Sequence, residues 1–167
     1  DYIDCYRQYT LNDTRMKFCD DAKKAGKIRA IGAVSHDTPT MMKYLDQYGD
    51  ILDYVMVPVN FHHNNGYFAD PKNYAENDYS ALIPRCGRMG IGVMGIKPMG
   101  SDHMIPLAEK NGMLHKDGLS LAKAMLRHAF NVPGLNVSMP SINTVSELRE
   151  DLEAAYHPVV SPEESRL

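Results

Sequence analysis

Cysteine is scarce in this 167-residue sequence: Cys5, Cys19 and Cys86 are the only three, and none stands in a C-x-x-C spacing. That rules against a disulfide framework and against a local zinc or iron–sulfur ligand set, and it suits idle thiols in a reducing compartment. A cytoplasmic location is the expectation. No run of 18 apolar residues occurs, so nothing is built to span a membrane, and any signal peptide would lie upstream of Asp1. Neither acidic nor basic residues are in large excess. A formal net charge of -3 argues against a nucleic-acid partner held by phosphate neutralisation, and leaves a small molecule as the expected ligand.

What is present is a regular alternation of strand and helix patterns. Tyr2 to Arg7 is β-rich, and a helical pattern follows with Phe18, Cys19, Ala22 and Ala25 on one stripe, closed by Gly26. Ile28 to Ser35 is a second strand, and Thr38-Pro39 then supplies an N-cap and a proline at the first helical position, with Met41, Leu45 and Tyr48 as the apolar face. Strand Tyr54 to Asn60 pairs with helix Tyr79 to Met89, and strand Gly92 to Lys97 with helix Ser120 to Phe130. After strand Asn136 to Pro140 comes the best-marked helix: Thr144 and Glu147 form a capping box, and Val145, Leu148, Leu152 and Ala155 recur at helical spacing. Met56, Met94 and Met139, three of eleven methionines, sit in strand patterns as gap fillers.

Five β-α units with short αβ turns imply a parallel sheet covered by helices, either doubly wound or closed as a (β/α)₈ barrel. Periodicity does not choose between these. The long segments Phe61 to Asp78 and Pro98 to Gly118 both follow strands, on the face where such folds bind ligands. Ser161-Pro162-Glu163-Glu164 has the order of a further helix start. Residues 1–167 are expected to be a single domain, with both ends cut from something longer.

Particular residues carry a family resemblance. Asp1-Tyr2-Ile3-Asp4-Cys5-Tyr6 resembles the fourth strand of the aldo-keto reductases, and Lys24 to Ser35 their next helix, turn and strand. Val57-Pro58-Val59-Asn60 is similar to their sixth strand, Gly95-Ile96-Lys97-Pro98-Met99-Gly100 to their seventh, and Met139-Pro140 through Glu150 to their eighth strand and helix. The Lys97-Pro98-Met99-Gly100 run resembles a bacterial branch, some members of which carry a C-terminal iron–sulfur segment, more than it does the mammalian carbonyl reductases, and no cluster ligands occur in this sequence. The resemblance implies an α/β (β/α)₈ barrel of which this chain holds strands 4 to 8. It also implies a NAD(P)H-dependent oxidoreductase reducing a carbonyl compound, with NADP slightly favoured over NAD. The family's catalytic aspartate, tyrosine and lysine would lie on the three strands not represented here.

Departures from the pattern mark the candidate site. Tyr9 stands where the resemblance places a catalytic histidine, and a phenol donates a hydrogen bond as a different acid. Arg7, two residues back on the same strand face, needs a fixed carboxylate or an anionic ligand if it is buried. Around the nicotinamide the family's serine-asparagine pair and glutamine are replaced by Ser35-His36 and Met56, and its stacking aromatic by Ile96. On the adenosine side, Ser141 and Asn143 belong to the loop that opens a capped helix, where free N–H groups favour phosphate. Glu150 and Asp151 occupy the family's adenine-contact positions, Asp151 in place of the usual asparagine. Lys97, at a strand end, points to the cofactor phosphates or to a Schiff base.

His36, His62, His63 and His103 all follow strands but lack metal-ligand spacing, so no metal is expected. Two other functions remain open on the sequence: a non-catalytic barrel that binds nucleotide or a partner, and a lysine-dependent lyase using Lys97. The expected partners are a carbonyl substrate and whatever covers the open sheet edges, either the other half of a barrel or another chain.

Overall fold

The computed structural model describes residues 2–4, 11–61, 78–100, 104–112, 115–116 and 119–166. Arg7, Tyr9, His62, His63 and His103 lie outside the described residues.

Five short strands form one parallel sheet: β1 (Tyr2–Asp4), β2 (Gly32–Val34), β3 (Tyr54–Pro58), β4 (Gly92–Ile96) and, after a small antiparallel pair, β7 (Val137–Met139), in the order β1-β2-β3-β4-β7. Each joins its neighbour in sequence order, as βα units winding in one direction do. Register rows run straight across the sheet: Val34, Met56, Met94 and Val137 stand side by side, and, two residues on, Pro58, Ile96 and Met139 form a row on the same face.

Helices α1 (Asp13–Lys24), α2 (Thr38–Tyr48), α3 (Leu82–Met89), α5 (Leu121–Phe130) and α6 (Val145–Tyr156) follow these strands. Alternation sends Ile31, Ala33, Val55, Val57 and Val93 toward the helices, where they meet Met16, Met41, Leu45, Leu82 and Cys86 in the main core. The alternate residues Tyr54, Met56, Met94 and Ile96 occupy the opposite, inner face and are only half-buried. Gly32 is required where β2 meets β3, because a Cβ there would lie 2.2 Å from the ring of Tyr54, its partner in the ladder.

Helix starts follow local hydrogen-bonding chemistry. Asn12 caps α1 by accepting from the Arg15 N–H at 3.0 Å, and Ser120 caps α5. The sequence expectation for α2 needs correction: Asp37, not Thr38, is the N-cap and accepts from the Thr40 N–H at 2.7 Å, since a carboxylate one residue earlier reaches the free amides. On α1 the expected stripe is rotated. Met16 is the buried residue while Phe18 is 74% exposed, because the helix turns its Met16 side to the sheet. The Pro98 to Gly118 segment is not a plain loop. It contains α4 (Met104–Lys110) and the pair β5 (His115–Lys116) with β6 (Leu119–Ser120), and Met104, Ile105 and Ala108 pack with Met99 on Leu121 and Met125 of α5.

At the end of the sheet where the strands begin, Asp53 ties helix to sheet. It accepts from the Lys23 ammonium at 2.6 Å and from the Ile31 N–H at 2.7 Å. Burial alone would raise this carboxyl, but the Lys23 and Ile31 hydrogen bonds outweigh it and the net direction is down.

The largest difference from the sequence pattern lies on α6. Val145, Leu148 and Leu152, read as its core stripe, are exposed at 66%, 41% and 43%, while Asp151 and Ala154 are buried. α6 packs on α5 through its Asp151 side, and β7 is the edge strand, so the apolar stripe faces outward together with Val137 and Met139. The helix start expected at Ser161 is present: Ser161 accepts from the Glu164 N–H at 3.1 Å, Glu164 accepts from the Ser161 N–H at 2.9 Å, and a 3₁₀ turn (Glu164–Arg166) follows. Arg127 of α5 pins it, pairing with Glu164 and donating to the His157 carbonyl at 2.7 Å.

Candidate functional site

Parallel strands deliver their C-terminal ends to one face, and with them Ser35-His36 after β2, Asn60-Phe61 after β3, Lys97-Pro98 after β4 and the Pro140 to Thr144 loop after β7. The predicted positions Ser35, His36, Lys97, Ser141 and Asn143 therefore share this face, whereas Glu150 and Asp151 lie farther along α6.

Ser35 is 4% exposed and its hydroxyl is committed locally. It donates to the Asp37 carbonyl and accepts from the Asp37 N–H, both at 3.0 Å, closing the turn that starts α2. His36 is half-buried beside it. After β3, Asn60 is fully buried, and its carbonyl accepts from the Tyr79 hydroxyl at 3.0 Å. Burial, reinforced by the nearby Asp78 charge, pushes that hydroxyl up to about 12, so Tyr79 is a fixed donor. Phe61 meets the His128 imidazole of α5 edge-on, with ring centres 6.2 Å apart.

Lys97 has the one left-handed backbone among the described non-glycine residues, with φ 55. Such a conformation costs on the order of 1–3 kcal/mol and persists where surrounding structure imposes it, most often at ligand sites. Here the turn after β4 imposes it: the Gly100 N–H donates to the Lys97 carbonyl at 2.9 Å, and Gly100 is itself left-handed. Composition alone gave no signal for this strain, since lysine is an ordinary strand-end residue.

On the β7 side, the start of α6 is closed by its own side chains. Thr144 accepts from the Glu147 N–H at 3.1 Å, and Glu147 accepts from the Asn143 and Thr144 N–H groups at 2.6 and 3.3 Å. This is the capping box expected from the sequence, extended to Asn143. Glu147, Glu150, Asp151 and Ala154 share one helical face. Glu150 takes a hydrogen bond from the Ser120 hydroxyl that caps α5. Asp151 is 9% exposed, its Oδ2 is buried without a hydrogen-bond partner, and its carboxyl is pushed up to about 6 by burial and then by the Glu150 and Glu147 charges.

These observations test the implied dinucleotide against the residues present. The unpartnered Asp151 Oδ2 lies on the side of α6 that packs on α5, away from the strand-end face. A phosphate, which brings only acceptors at neutral pH, finds the amides of the α6 start already held by Glu147. The start of α6 therefore offers a phosphate neither the Asn143 nor the Thr144 amide.

An open cavity of about 450 Å³ between α5, α6 and the tail is lined by Lys123 and Glu153, which pair with each other, and by Arg127 and Glu164, which do the same. Cys86 is buried in α3 and burial lifts its thiol to about 11, so it is unreactive. Among the described residues no group of three or more His, Cys, Asp or Glu side chains is placed to hold a metal ion, and no helix is long and apolar enough to cross a membrane.

No protein-family model and no curated protein matches the chain. Solved structures do. A thermostable aldo-keto reductase, solved in complex with the inhibitor epalrestat, superposes on 90% of this chain with TM-score 0.59 at 19% identity. An aldo-keto reductase from Bacillus halodurans covers 92% with TM-score 0.60 at 12% identity, and an aldose reductase from Giardia lamblia covers 89% with TM-score 0.54 at 17% identity. The chain in turn spans 51%, 54% and 46% of those proteins, about half the length of each. At such identity the likeness establishes architecture, and the five parallel βα units have the fold of about half of an aldo-keto reductase barrel.

Proposed function

We propose that this chain forms the C-terminal part of an aldo-keto reductase-type barrel that binds a nicotinamide dinucleotide at its strand ends and serves the reduction of a small carbonyl compound. The observation that carries this is the arrival of Ser35-His36, strained Lys97 and the Ser141 to Thr144 loop on one face of a sheet with this fold. When bound, the reduced nicotinamide supplies hydride to the carbonyl carbon. The chain's own groups then have distinct tasks. Tyr9 donates a hydrogen bond to the carbonyl oxygen as negative charge develops there, Arg7 holds an anionic part of the substrate, and Lys97 offsets the cofactor's phosphate charge. Ile96 and Met94 on the inner face give the ring apolar contact.

Completion of the barrel belongs to the same proposal. The outward apolar stripe of α6 and the unpaired side of β7 call for further parallel strand and helix, from the same polypeptide or another chain. A non-catalytic nucleotide-binding barrel is the second reading, favoured by the commitment of the Ser35 hydroxyl to Asp37.

Titration with NADH and with NADPH, followed by cofactor fluorescence, tests the proposal. Saturable binding of either is expected, and no binding at high micromolar concentration of both overturns it. Turnover of simple aldehydes by the binding-competent protein separates the catalytic reading from the non-catalytic one.

A further inference from the structure

We infer that this chain closes its barrel with a second copy of itself: the free edge of β7 and the apolar stripe of α6 on one protomer take the free edge of β1 and the outer flank of α1 on the other, twice about a two-fold axis. The inference rests on the barrel reading above and names what completes it.

Among the described residues β1 and β7 are the two edges of the sheet, and every ladder between them is parallel. A copy rotated by half a turn about the barrel axis keeps the sense of all strands, so each β7 meets the other protomer's β1 and no edge is left. The helices beside those edges are apolar on the sides that would touch. On α6 the stripe from Ile142 through Val145, Leu148 and Leu152 to Tyr156 is 41% to 76% exposed, turned away from Glu150 and His157, which meet α5. On α1, Asp13 meets Tyr48 of α2, and the flank on the other side carries half-buried Cys19 and Ala22 with Phe18, 74% exposed, at its rim. Small side chains there let a second helix approach, and Phe18 reaches over it.

The area agrees. A compact monomer of 18.7 kDa exposes roughly 8300 Å², whereas this chain exposes 10028 Å². Two copies that each hid the difference would bury roughly 3500 Å² together, a size found in obligate homodimers. The inner face needs the same closure, because Tyr54, Met56, Met94 and Ile96 stay half-buried in one copy. Ten strands enclose a wider interior than eight, and flexible methionine side chains suit it. A peptide or a small ligand would cover one of these three surfaces, whereas a second copy covers them all.

Light scattering on the unaltered chain at micromolar concentration should give twice 18.7 kDa. Phe18→Glu and Leu152→Lys lie on opposite sides of the contact, and each should weaken dimerisation at least roughly tenfold by burying an unpaired charge in it. Helix content by circular dichroism should be kept in both, since the two positions are exposed in the single chain. Mixed in equal amounts, the two variants should recover the dimer, because one of its two contacts is then native and the other pairs glutamate with lysine. A monomeric unaltered chain, a dimer that neither variant weakens, or a mixture that stays monomeric overturns the inference; the first result assigns the stripe to a different polypeptide. Cofactor titration keeps the readings apart. A monomer that binds NADH leaves the dinucleotide reading standing without the inference, and a dimer that binds neither NADH nor NADPH overturns that reading alone.

Discussion

Replacing Asp151 by asparagine should stabilise the protein at neutral and alkaline pH and leave it nearly unchanged in acid. The carboxyl is 9% exposed, one of its oxygens has no partner, and its proton is held up to about 6 against 3.8 for an ordinary aspartate, through burial and then the Glu150 and Glu147 charges. The sign follows from proton linkage. The folded state binds this proton more tightly than the unfolded one, so stability falls as pH rises from about 4 to about 6 and levels off above. The span of about two units at 1.36 kcal/mol each sets the cost of the ionised group at no more than about 3 kcal/mol. An amide has nearly the shape and polar demand of the protonated acid, so the Asp151→Asn comparison isolates the charge. Urea unfolding at pH 8 should show a midpoint raised by up to about 1.5 M, taking a slope of about 2 kcal/mol/M, and the difference should vanish near pH 4. A variant less stable at pH 8, or a gain equal at both pH values, would refute the reasoning.

Two further outcomes follow from the outer surface. Arg127→Leu strands the Glu164 carboxylate, which is 3% exposed at its side chain, and a buried charge deprived of its partner costs about 3–5 kcal/mol. The 157–166 tail should lift instead, so proteolysis there quickens while hydrogen exchange across α1 to α3 stays slow; loss of protection throughout α1 to α3 would contradict this. Leu148→Lys with Leu152→Lys should change stability by less than about 0.5 kcal/mol per site, because both are exposed, and should lower self-association in light scattering. A penalty of about 2–5 kcal/mol, typical of core leucines, would show that the stripe is covered.

Much of this architecture was legible because it rests on local chemistry. The Thr144-Glu147 capping box, the Met41, Leu45 and Tyr48 face of α2 and the strand-end position of Lys97 each depend on residues within a turn or two of one another. The α6 stripe was misread for a related reason. Helical spacing identifies an apolar face but carries no information about whether a neighbour covers it, and Val145, Leu148 and Leu152 are exposed at the edge of the sheet.

By itself, then, the sequence determined the order of βα units, the capping box of α6 and the positions of the strand ends, since propensity, hydrogen-bonding reach and side-chain period act over a few residues. Only the tertiary structure decided that Ser35 is buried with its hydroxyl on Asp37, that Lys97 is held left-handed, and that Asp151 is buried without a donor. Those outcomes depend on which groups water can still reach and which partners remain to them, and that is settled when the helices close on the sheet.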